Sequence, residues 1–150
     1  MRMRLILSLA LIACAPVFAQ ASDVVDDHAD SAPPDSLTIE TVPFRQEIKR
    51  QCNFVTECVE NEPCTETEFT PVITGMGGGL SPDDLVVQAQ MVTDAETVEM
   101  LGVTSGKSIS LSGGTFAARH LITITENGAT RYTVHYADGP FVISYLGTCN

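Results

Sequence analysis

Four cysteines are the residues of this chain whose chemistry is easiest to assign. Cys52, Cys58 and Cys64 are evenly spaced, and Cys149 is the penultimate residue. A zinc site normally uses close pairs of cysteines, which this spacing lacks, so we expect no metal site. An even number of cysteines behind an export signal predicts two disulfides, for which three connectivities exist. We expect Cys58–Cys64, which closes a short polar loop, and Cys52–Cys149, which ties the first ordered segment to the last strand.

His120 is the other residue whose type invites a functional interpretation. The strand alternation described below places it on an interior face with Tyr132, Tyr136 and Tyr145. A buried histidine requires a hydrogen-bond partner, and a tyrosine hydroxyl or a water at the rim would satisfy it. The alternative is a polar group within a small ligand-binding cavity formed by these four residues. His135 falls on the outer face, so the two histidines are not expected to form a metal pair.

The sequence contains no strong match to a catalytic motif. The glycine-rich run at 75–79 is not followed by the Gly-Lys-Ser/Thr of a phosphate loop. The Gly-x-Ser-x-Gly motif of hydrolases is absent from the sequence. We therefore predict a protein that is not an enzyme, with no catalytic residue and no cofactor, and we keep an enzyme with a His120-centred pocket as an alternative.

Five consecutive hairpins are predicted between residues 85 and 149. Side chains of a strand alternate between faces, so each turn length must keep the apolar residues together. Turns at 94–97, 105–106 and 113–114 would pair Met91 with Met100, Met100 with Leu111, and Leu111 with Phe116. A three-residue loop at 126–128 with Gly128 left-handed, rather than a two-residue Asn-Gly turn, keeps the later isoleucines and tyrosines on one face.

The same pattern predicts which side chains are buried. The last loop, at 137–140, places Tyr136 opposite Phe141 and Tyr132 opposite Tyr145. We expect an interior that includes Phe116, Ile122, Val134, Tyr136 and Ile143, and an outer face that includes Thr123, Arg131 and His135.

Two segments upstream add to this sheet. Residues 66–74 alternate as one more strand, and Pro71 suggests an edge or a bulge there. Residues 37–44 form an eighth strand, or residues 42–51 form a short helix instead. Because an open sheet of this kind would expose two edges, we predict closure. The expected fold is all-β: a small antiparallel up-and-down meander of seven or eight strands that closes into a lipocalin-like barrel, with a disulfide-bonded N-terminal segment.

The N-terminal residues predict export. Arg2 and Arg4 precede a short apolar run at 5–13, which is typical of a secretory signal peptide at 1–21 and leaves no membrane span in the mature chain. The run ending at Cys14 resembles a lipobox, so a lipid anchor on Cys14 is the alternative to periplasmic or secreted location. Residues 22–36 predict a disordered acidic linker, and residues 37–150 a single disulfide-stabilised domain.

The net charge narrows the range of partners. The chain carries a formal net charge of −11, and loss of Arg2 and Arg4 leaves 6 − 19 = −13. Such a chain repels phosphate backbones and anionic membranes, so no nucleic-acid partner is expected. A cationic protein or a small apolar ligand remains compatible with the composition.

The export signal, the even number of cysteines and the β-meander together resemble those of small bacterial exported β-barrel proteins. These include lipocalin-like modules and barrel inhibitors of lysozymes or proteases. The chain has no tryptophan, so it lacks the Gly-x-Trp motif of true lipocalins, and no functional residue is transferred. The resemblance implies a non-enzymatic module that binds a small ligand or a protein partner, with an inhibitor of a cationic secreted enzyme as the alternative.

Overall fold

The structure, a computed structural model, describes residues 38–150. The signal peptide predicted at 1–21, the alternative lipid anchor at Cys14 and the linker predicted at 22–36 lie outside the described residues. In the described part of the chain, no helix is long and apolar enough to cross a membrane.

Residues 38–150 fold as an all-β unit of nine antiparallel strands, without a helix in that range. Residues 38–43 form a turn before the first strand begins. The strands are β1 (Phe44–Val59), β2 (Thr65–Phe69), β3 (Val72–Gly79), β4 (Val86–Val92), β5 (Thr97–Ser105), β6 (Ser108–Gly114), β7 (Ala118–Ile124), β8 (Ala129–Tyr136) and β9 (Phe141–Cys149).

The nine strands form one sheet whose hydrogen bonding runs in a ring. Each strand from β3 to β8 pairs with the next, and β9 pairs back to β1. The long strand β1 completes the ring because its two edges have different neighbours. One edge pairs with β3 at residues 44–51 and with β2 near residues 54–57, and the other pairs with β9 at residues 52–59.

The N-terminal strands differ from the sequence prediction. The helix considered for residues 42–51 is wrong, since residues 44–51 are extended and pair with β3. The strand considered for residues 37–44 is also wrong over its described part, which is mostly turn. Pro71 splits the single strand predicted at 66–74 into β2 and β3, because proline has no N–H to donate. Its carbonyl still accepts a hydrogen bond of 3.0 Å from the Cys52 amide.

Alternation along the strands produces one apolar core inside the ring. The predicted interior residues Ile122 and Val134 are buried, and Tyr136 and Ile143 are partly buried. Thr123, Arg131 and His135 face solvent, as predicted. The core also contains Ile48, Cys52, Phe54, Ile73, Val87, Ala89, Met91, Val98, Met100, Ile109, Leu111, Ile124, Tyr132 and Cys149.

The last two hairpin registers are confirmed, and the first three are corrected. Ile122 pairs with Tyr132 around a left-handed Gly128, with φ of 84°. In each earlier hairpin the pairing partner is shifted by an even number of residues, two, two and six, which leaves the faces unchanged. Leu111 pairs with Ile122, so the connection between β6 and β7 is longer than a two-residue turn.

Phe116 is the clearest error among the predicted core residues. It lies in the connection between β6 and β7 and is 91% exposed, although it was expected inside the ring. The expected register, with a tight turn at the two glycines, would have placed it opposite Leu111. The sheet instead continues through Gly114 and pairs that glycine with Arg119.

Both predicted disulfides are present. Cys52 and Cys149 are directly opposite each other in the pairing of β1 with β9, so this disulfide crosses the seam that completes the ring. Cys58 and Cys64 close the connection between β1 and β2. The four cysteines of the described chain are therefore in disulfides and do not form the zinc site that was set aside.

Glycines on the inward face let neighbouring backbones approach closely. A Cβ added at Gly102 would lie 1.8 Å from the carbonyl oxygen of Ser110, and one added at Gly113 would lie 2.0 Å from that of Glu99. Both glycines are half-buried and lie in the paired strands β5 and β6. Any other residue would force these strands apart, so the glycines permit the strong bending of a closed sheet.

Candidate functional site

His120 and Tyr132 form a buried polar pair inside the ring. The Nδ1 atom of His120 lies 2.6 Å from the Tyr132 hydroxyl, and the two residues are only 4% and 3% exposed. The pair arises because His120 on β7 and Tyr132 on β8 are diagonal neighbours on the inward face. Burial lowers the pKa of His120, since it disfavours the imidazolium ion. Burial also raises the pKa of the Tyr132 hydroxyl above its usual range.

A cluster of aromatic rings fills the space beside this pair. Tyr132 and Tyr145 stack with centroids 5.5 Å apart, and Phe54 and Phe69 pack against both of them at 5.0–6.1 Å. Such aromatic contacts add stability beyond the area that they bury. Three of the four predicted site residues, His120, Tyr132 and Tyr145, thus come together here. The aromatic residue that the sequence analysis missed is Phe54, which the alternation of Ile48, Cys52 and Phe54 on β1 would have revealed.

Tyr136 has a different principal contact from the other predicted site residues. Its half-buried ring stacks on Phe141, with centroids 4.8 Å apart, near the junction of β8 and β9. Tyr145, by contrast, lies opposite Glu57 of β1. Burial raises the pKa of Tyr145, and the Glu57 carboxylate raises it further as a hydrogen-bond partner and a negative charge. The raised pKa values of Tyr132 and Tyr145 mean that these two phenols are neutral at ordinary pH.

The chemistry available around His120 is limited by this packing. A neutral imidazole and neutral phenols can exchange hydrogen bonds, but no activated nucleophile accompanies them. None of the five cavities described for residues 38–150 has His120, Tyr132 or Tyr145 in its lining. The geometry fits a histidine whose hydrogen bond is satisfied by a tyrosine hydroxyl.

A different part of the ring contains a solvent-accessible cavity. We call this part the open end: it is where β1 begins, where β9 ends, and where the turns β5–β6 and β7–β8 lie. The cavity has a volume of 590 Å³, which corresponds to about twenty water molecules. Its lining consists of Gln46, Ile48, Arg50, Pro82, Asp83, Thr104, Gly106, Lys107, Ile109, Ile124, Thr125, Glu126, Asn127, Gly128, Cys149 and Asn150.

The cavity at the open end combines an apolar floor with polar walls. Ile109 and Ile124 belong to the buried core and close the cavity from below. Lys107 and Glu126 form an ion pair of 3.2 Å at the rim, and both side chains are exposed, so the pair contributes little to stability. Arg50 lines the cavity from β1, and its Nη1 donates a hydrogen bond of 2.9 Å to the Lys49 carbonyl. Such a site can bind a ligand that has both apolar and polar groups.

Hydrogen bonds from two connections between strands hold the mouth of the cavity. The amide of Gly106 donates to the carbonyl of Asp83, and the Thr104 hydroxyl donates to the same carbonyl. The Cys149 amide donates to the carbonyl of Gly128, which fixes the β7–β8 turn against the end of β9. The walls of the cavity are therefore held by backbone hydrogen bonds rather than by side chains alone.

The described residues provide no cluster of three or more histidine, cysteine, aspartate or glutamate side chains that is suited to a metal ion. Comparison of the chain with protein-family models, with curated proteins and with solved structures found no match. The assignment of function therefore depends on the geometry of the two regions described above.

Proposed function

We propose that this protein is an exported, non-enzymatic binding module with a lipocalin-like barrel fold, and that it binds a small ligand or a segment of a protein at the open end of the ring. The observation that carries the proposal is the contrast between the two regions. The aromatic cluster fills the space around His120, whereas 590 Å³ is accessible at the open end. In this proposal His120, Tyr132, Tyr136 and Tyr145 stabilise the core, and the ligand contacts the cavity lining.

The disulfides support a location outside the reducing cytoplasm. Two disulfides in so small a domain are typical of periplasmic or secreted proteins. This agrees with the export signal that the first residues predict. Lipid anchoring at Cys14 remains the alternative, and mass spectrometry of the mature N-terminus would distinguish a start at Gln20 or Ser22 from a lipidated Cys14.

The experiment that tests the site is an NMR titration of the oxidised protein with a fragment library of small carboxylic acids and amides. We expect shifts of the amides that line the cavity, such as those of Ile48, Thr104 and Gly128, and none at Tyr145. Gln46→Trp should abolish these shifts, because Gln46 is an exposed side chain that lines the cavity. Glu47→Trp, on the opposite face of β1, is the matched control. Fragment binding at the His120 cluster, or no binding at the open end, would overturn the proposal.

One observation favours the alternative of an inhibitor of a cationic secreted enzyme. The hairpin that joins β1 and β2 carries four exposed carboxylates, Glu60, Glu62, Glu66 and Glu68, beside the Cys58–Cys64 disulfide. An acidic hairpin that is closed by a disulfide suits a basic partner. Inhibition of a basic lysozyme that weakens with salt and is lost when Glu60 and Glu62 become glutamine would support this alternative.

A further inference from the structure

The first half of β1 has an edge without a partner strand among the described residues. Residues 44–51 of β1 pair with β3 in an unbroken register, but β9 pairs with β1 only from Cys52 onward. The ring is therefore closed over the second half of β1 and open beside the first half. The cavity at the open end lies along this part of β1, because Gln46, Ile48 and Arg50 are among its lining residues.

The direction of the unpaired backbone groups follows from hydrogen bonds at the end of the gap. The amide and the carbonyl of Gln51 both bond to Asn150, on the side of β9, while the Cys52 amide bonds to Pro71 on the other side. Backbone groups of alternate residues in a strand point to opposite edges. The N–H and C=O groups of Arg45, Glu47 and Lys49 therefore point into the gap. The Lys49 carbonyl already accepts a hydrogen bond of 2.9 Å from the Arg50 Nη1 atom, and the other groups form a template for an added strand.

We infer that this gap receives an extended, acidic segment of a partner protein, which adds to β1 as an antiparallel strand in line with β9. This inference rests on the proposed function and specifies the class of ligand that the open end binds. Main-chain hydrogen bonds to Arg45, Glu47 and Lys49 would supply affinity, as in other cases of strand addition. A segment of about seven residues would span the gap at about 3.3 Å per residue.

The charges on β1 determine the chemistry of the partner. Residues 44–50 contain three basic residues, Arg45, Lys49 and Arg50, and one acidic residue, Glu47. The net charge of this segment is therefore 3 − 1 = +2, although the whole chain has a formal net charge of −11. Arg45, Glu47 and Lys49 are exposed on the outer face, and cross-strand neighbours on one face interact directly. An added strand should therefore carry acidic residues opposite Arg45 and Lys49 and a neutral residue opposite Glu47.

The inward face of the added strand is specified by the cavity. The side chains of the partner that alternate with the acidic ones would lie beside Ile48 and above Ile109 and Ile124. Small β-branched residues suit these positions, because they favour extended backbone and bury apolar surface. Two cationic residues, Arg50 and Lys107, and two acidic residues, Asp83 and Glu126, line the cavity, so these four charges sum to zero. The selection for acidic residues therefore comes from the outer face.

The test uses the oxidised protein and a blocked peptide, Thr-Glu-Val-Thr-Val-Glu-Thr, with fluorescence anisotropy of a labelled copy as the readout. We expect saturable binding that weakens as salt is raised. The control peptide Thr-Lys-Val-Thr-Val-Lys-Thr, which reverses the charges, should bind about tenfold or more weakly, since like charges opposite each other are destabilising. Equal binding of the two peptides would overturn the selection for acidic segments.

Substitution of Glu47 separates strand addition from simple charge attraction. Glu47→Pro removes the N–H that points into the gap without removing a hydrogen bond to β3, whereas Glu47→Ala removes the carboxylate but keeps that N–H. We expect Glu47→Pro to bind the peptide about tenfold more weakly than Glu47→Ala, as expected for loss of a main-chain hydrogen bond at the site. Far-UV circular dichroism checks that both variants fold. Indistinguishable affinities would show that the backbone edge is not the site.

Hydrogen exchange of the unsubstituted protein provides a test that does not depend on the proline variant. The peptide should protect the amides of Arg45, Glu47 and Lys49 and leave those of Ile48 and Arg50 nearly unchanged, because the latter already face β3. If the amides of Arg45, Glu47 and Lys49 are already protected before peptide is added, and deletion of residues 22–36 abolishes that protection, the gap is occupied by the protein's own acidic segment. The same protection with a dimeric mass would assign it to a second copy, and either result would overturn the inference. Fragment binding at the cavity without peptide binding would leave the proposed function standing and reject this inference alone.

Discussion

Replacement of Tyr132 by phenylalanine tests the structural role that we assign to His120. The substitution keeps the ring within the aromatic cluster but removes the hydroxyl that lies 2.6 Å from the His120 Nδ1 atom. Since His120 is only 4% exposed, water cannot readily replace that hydroxyl. Leaving a buried polar group without its partner costs about 1–3 kcal/mol, so we expect the free energy of unfolding to fall by about 2 kcal/mol.

Urea unfolding followed by far-UV circular dichroism measures this change. A loss of about 2 kcal/mol lowers the urea midpoint by about 1 M if the slope m is about 2 kcal/mol per M. Tyr136→Phe is the matched control: it makes the same chemical change on the same strand, and the Tyr136 ring stacks on Phe141 rather than on His120. We expect the midpoint of Tyr136→Phe to change by much less.

The pH dependence of stability gives a second readout for His120. Burial lowers the pKa of His120 in the folded state below its unfolded value of 6.5. The unfolded protein therefore binds more protons, and the contribution of neutral His120 is complete above the unfolded pKa and is lost as the pH falls below it. The slope from one such group cannot exceed about 1.4 kcal/mol per pH unit. His120→Gln should remove this component of the acid sensitivity.

Two results would refute this reasoning. Equal stability losses in Tyr132→Phe and Tyr136→Phe would mean that the contact between His120 and Tyr132 contributes nothing specific. An unchanged stability profile between pH 5 and pH 7 in His120→Gln, relative to the unsubstituted protein, would show that His120 is not held neutral by burial.

Three further predictions follow from the core, the seam of the ring and the corrected turn. Ile122→Ala should lower the free energy of unfolding by about 2–5 kcal/mol, the usual cost of truncating a packed aliphatic residue, while Thr123→Ala changes it by about 0.5 kcal/mol or less; equal urea midpoints would contradict the register of β7. Replacing Cys52 and Cys149 together by serine should cost about 4–5 kcal/mol, because this disulfide closes a loop of nearly the whole domain; thermal unfolding checks the loss, and an unchanged midpoint would mean that the hydrogen bonds of the seam suffice. Phe116→Ser should change stability by about 0.5 kcal/mol or less, since the side chain is almost fully exposed; a loss of several kcal/mol in calorimetry would restore the register in which Phe116 is buried.

The hairpins of the C-terminal half were predictable because their pattern is local. Strands of alternating apolar and polar residues are joined by glycine-containing turns, and alternation with a period of two assigns each side chain to a face. In the first three hairpins the cross-strand partners differ from the predicted ones by even numbers of residues, which preserves this assignment. The error at Phe116 arose because two adjacent glycines predict a tight turn, whereas Gly113 is instead needed where β6 lies against the backbone of Glu99.

The candidate sites were less predictable, because they depend on contacts between distant segments. The alternation placed His120, Tyr132 and Tyr145 on one face, but it did not reveal that Phe54 and Phe69 fill the space beside them. Whether an interior is hollow or filled depends on the summed volumes of side chains from many strands. The cavity at the open end was missed for a similar reason, since its lining comes from five separate segments.

The sequence by itself determined the all-β class and the alternation of buried and exposed residues along β7 and β8, and it limited the four cysteines to three connectivities. The strand class and the alternation follow from short-range residue spacing, and the cysteine connectivities follow from the small number of ways in which four cysteines can pair. The tertiary structure alone decided that β1 is a long strand serving three neighbours, and that its first half remains unpaired along one edge among the described residues. The physical reason is that the alignment of β1 and β9 is fixed only when the ring closes and brings distant segments together. No local sequence pattern specifies where β9 ends relative to β1.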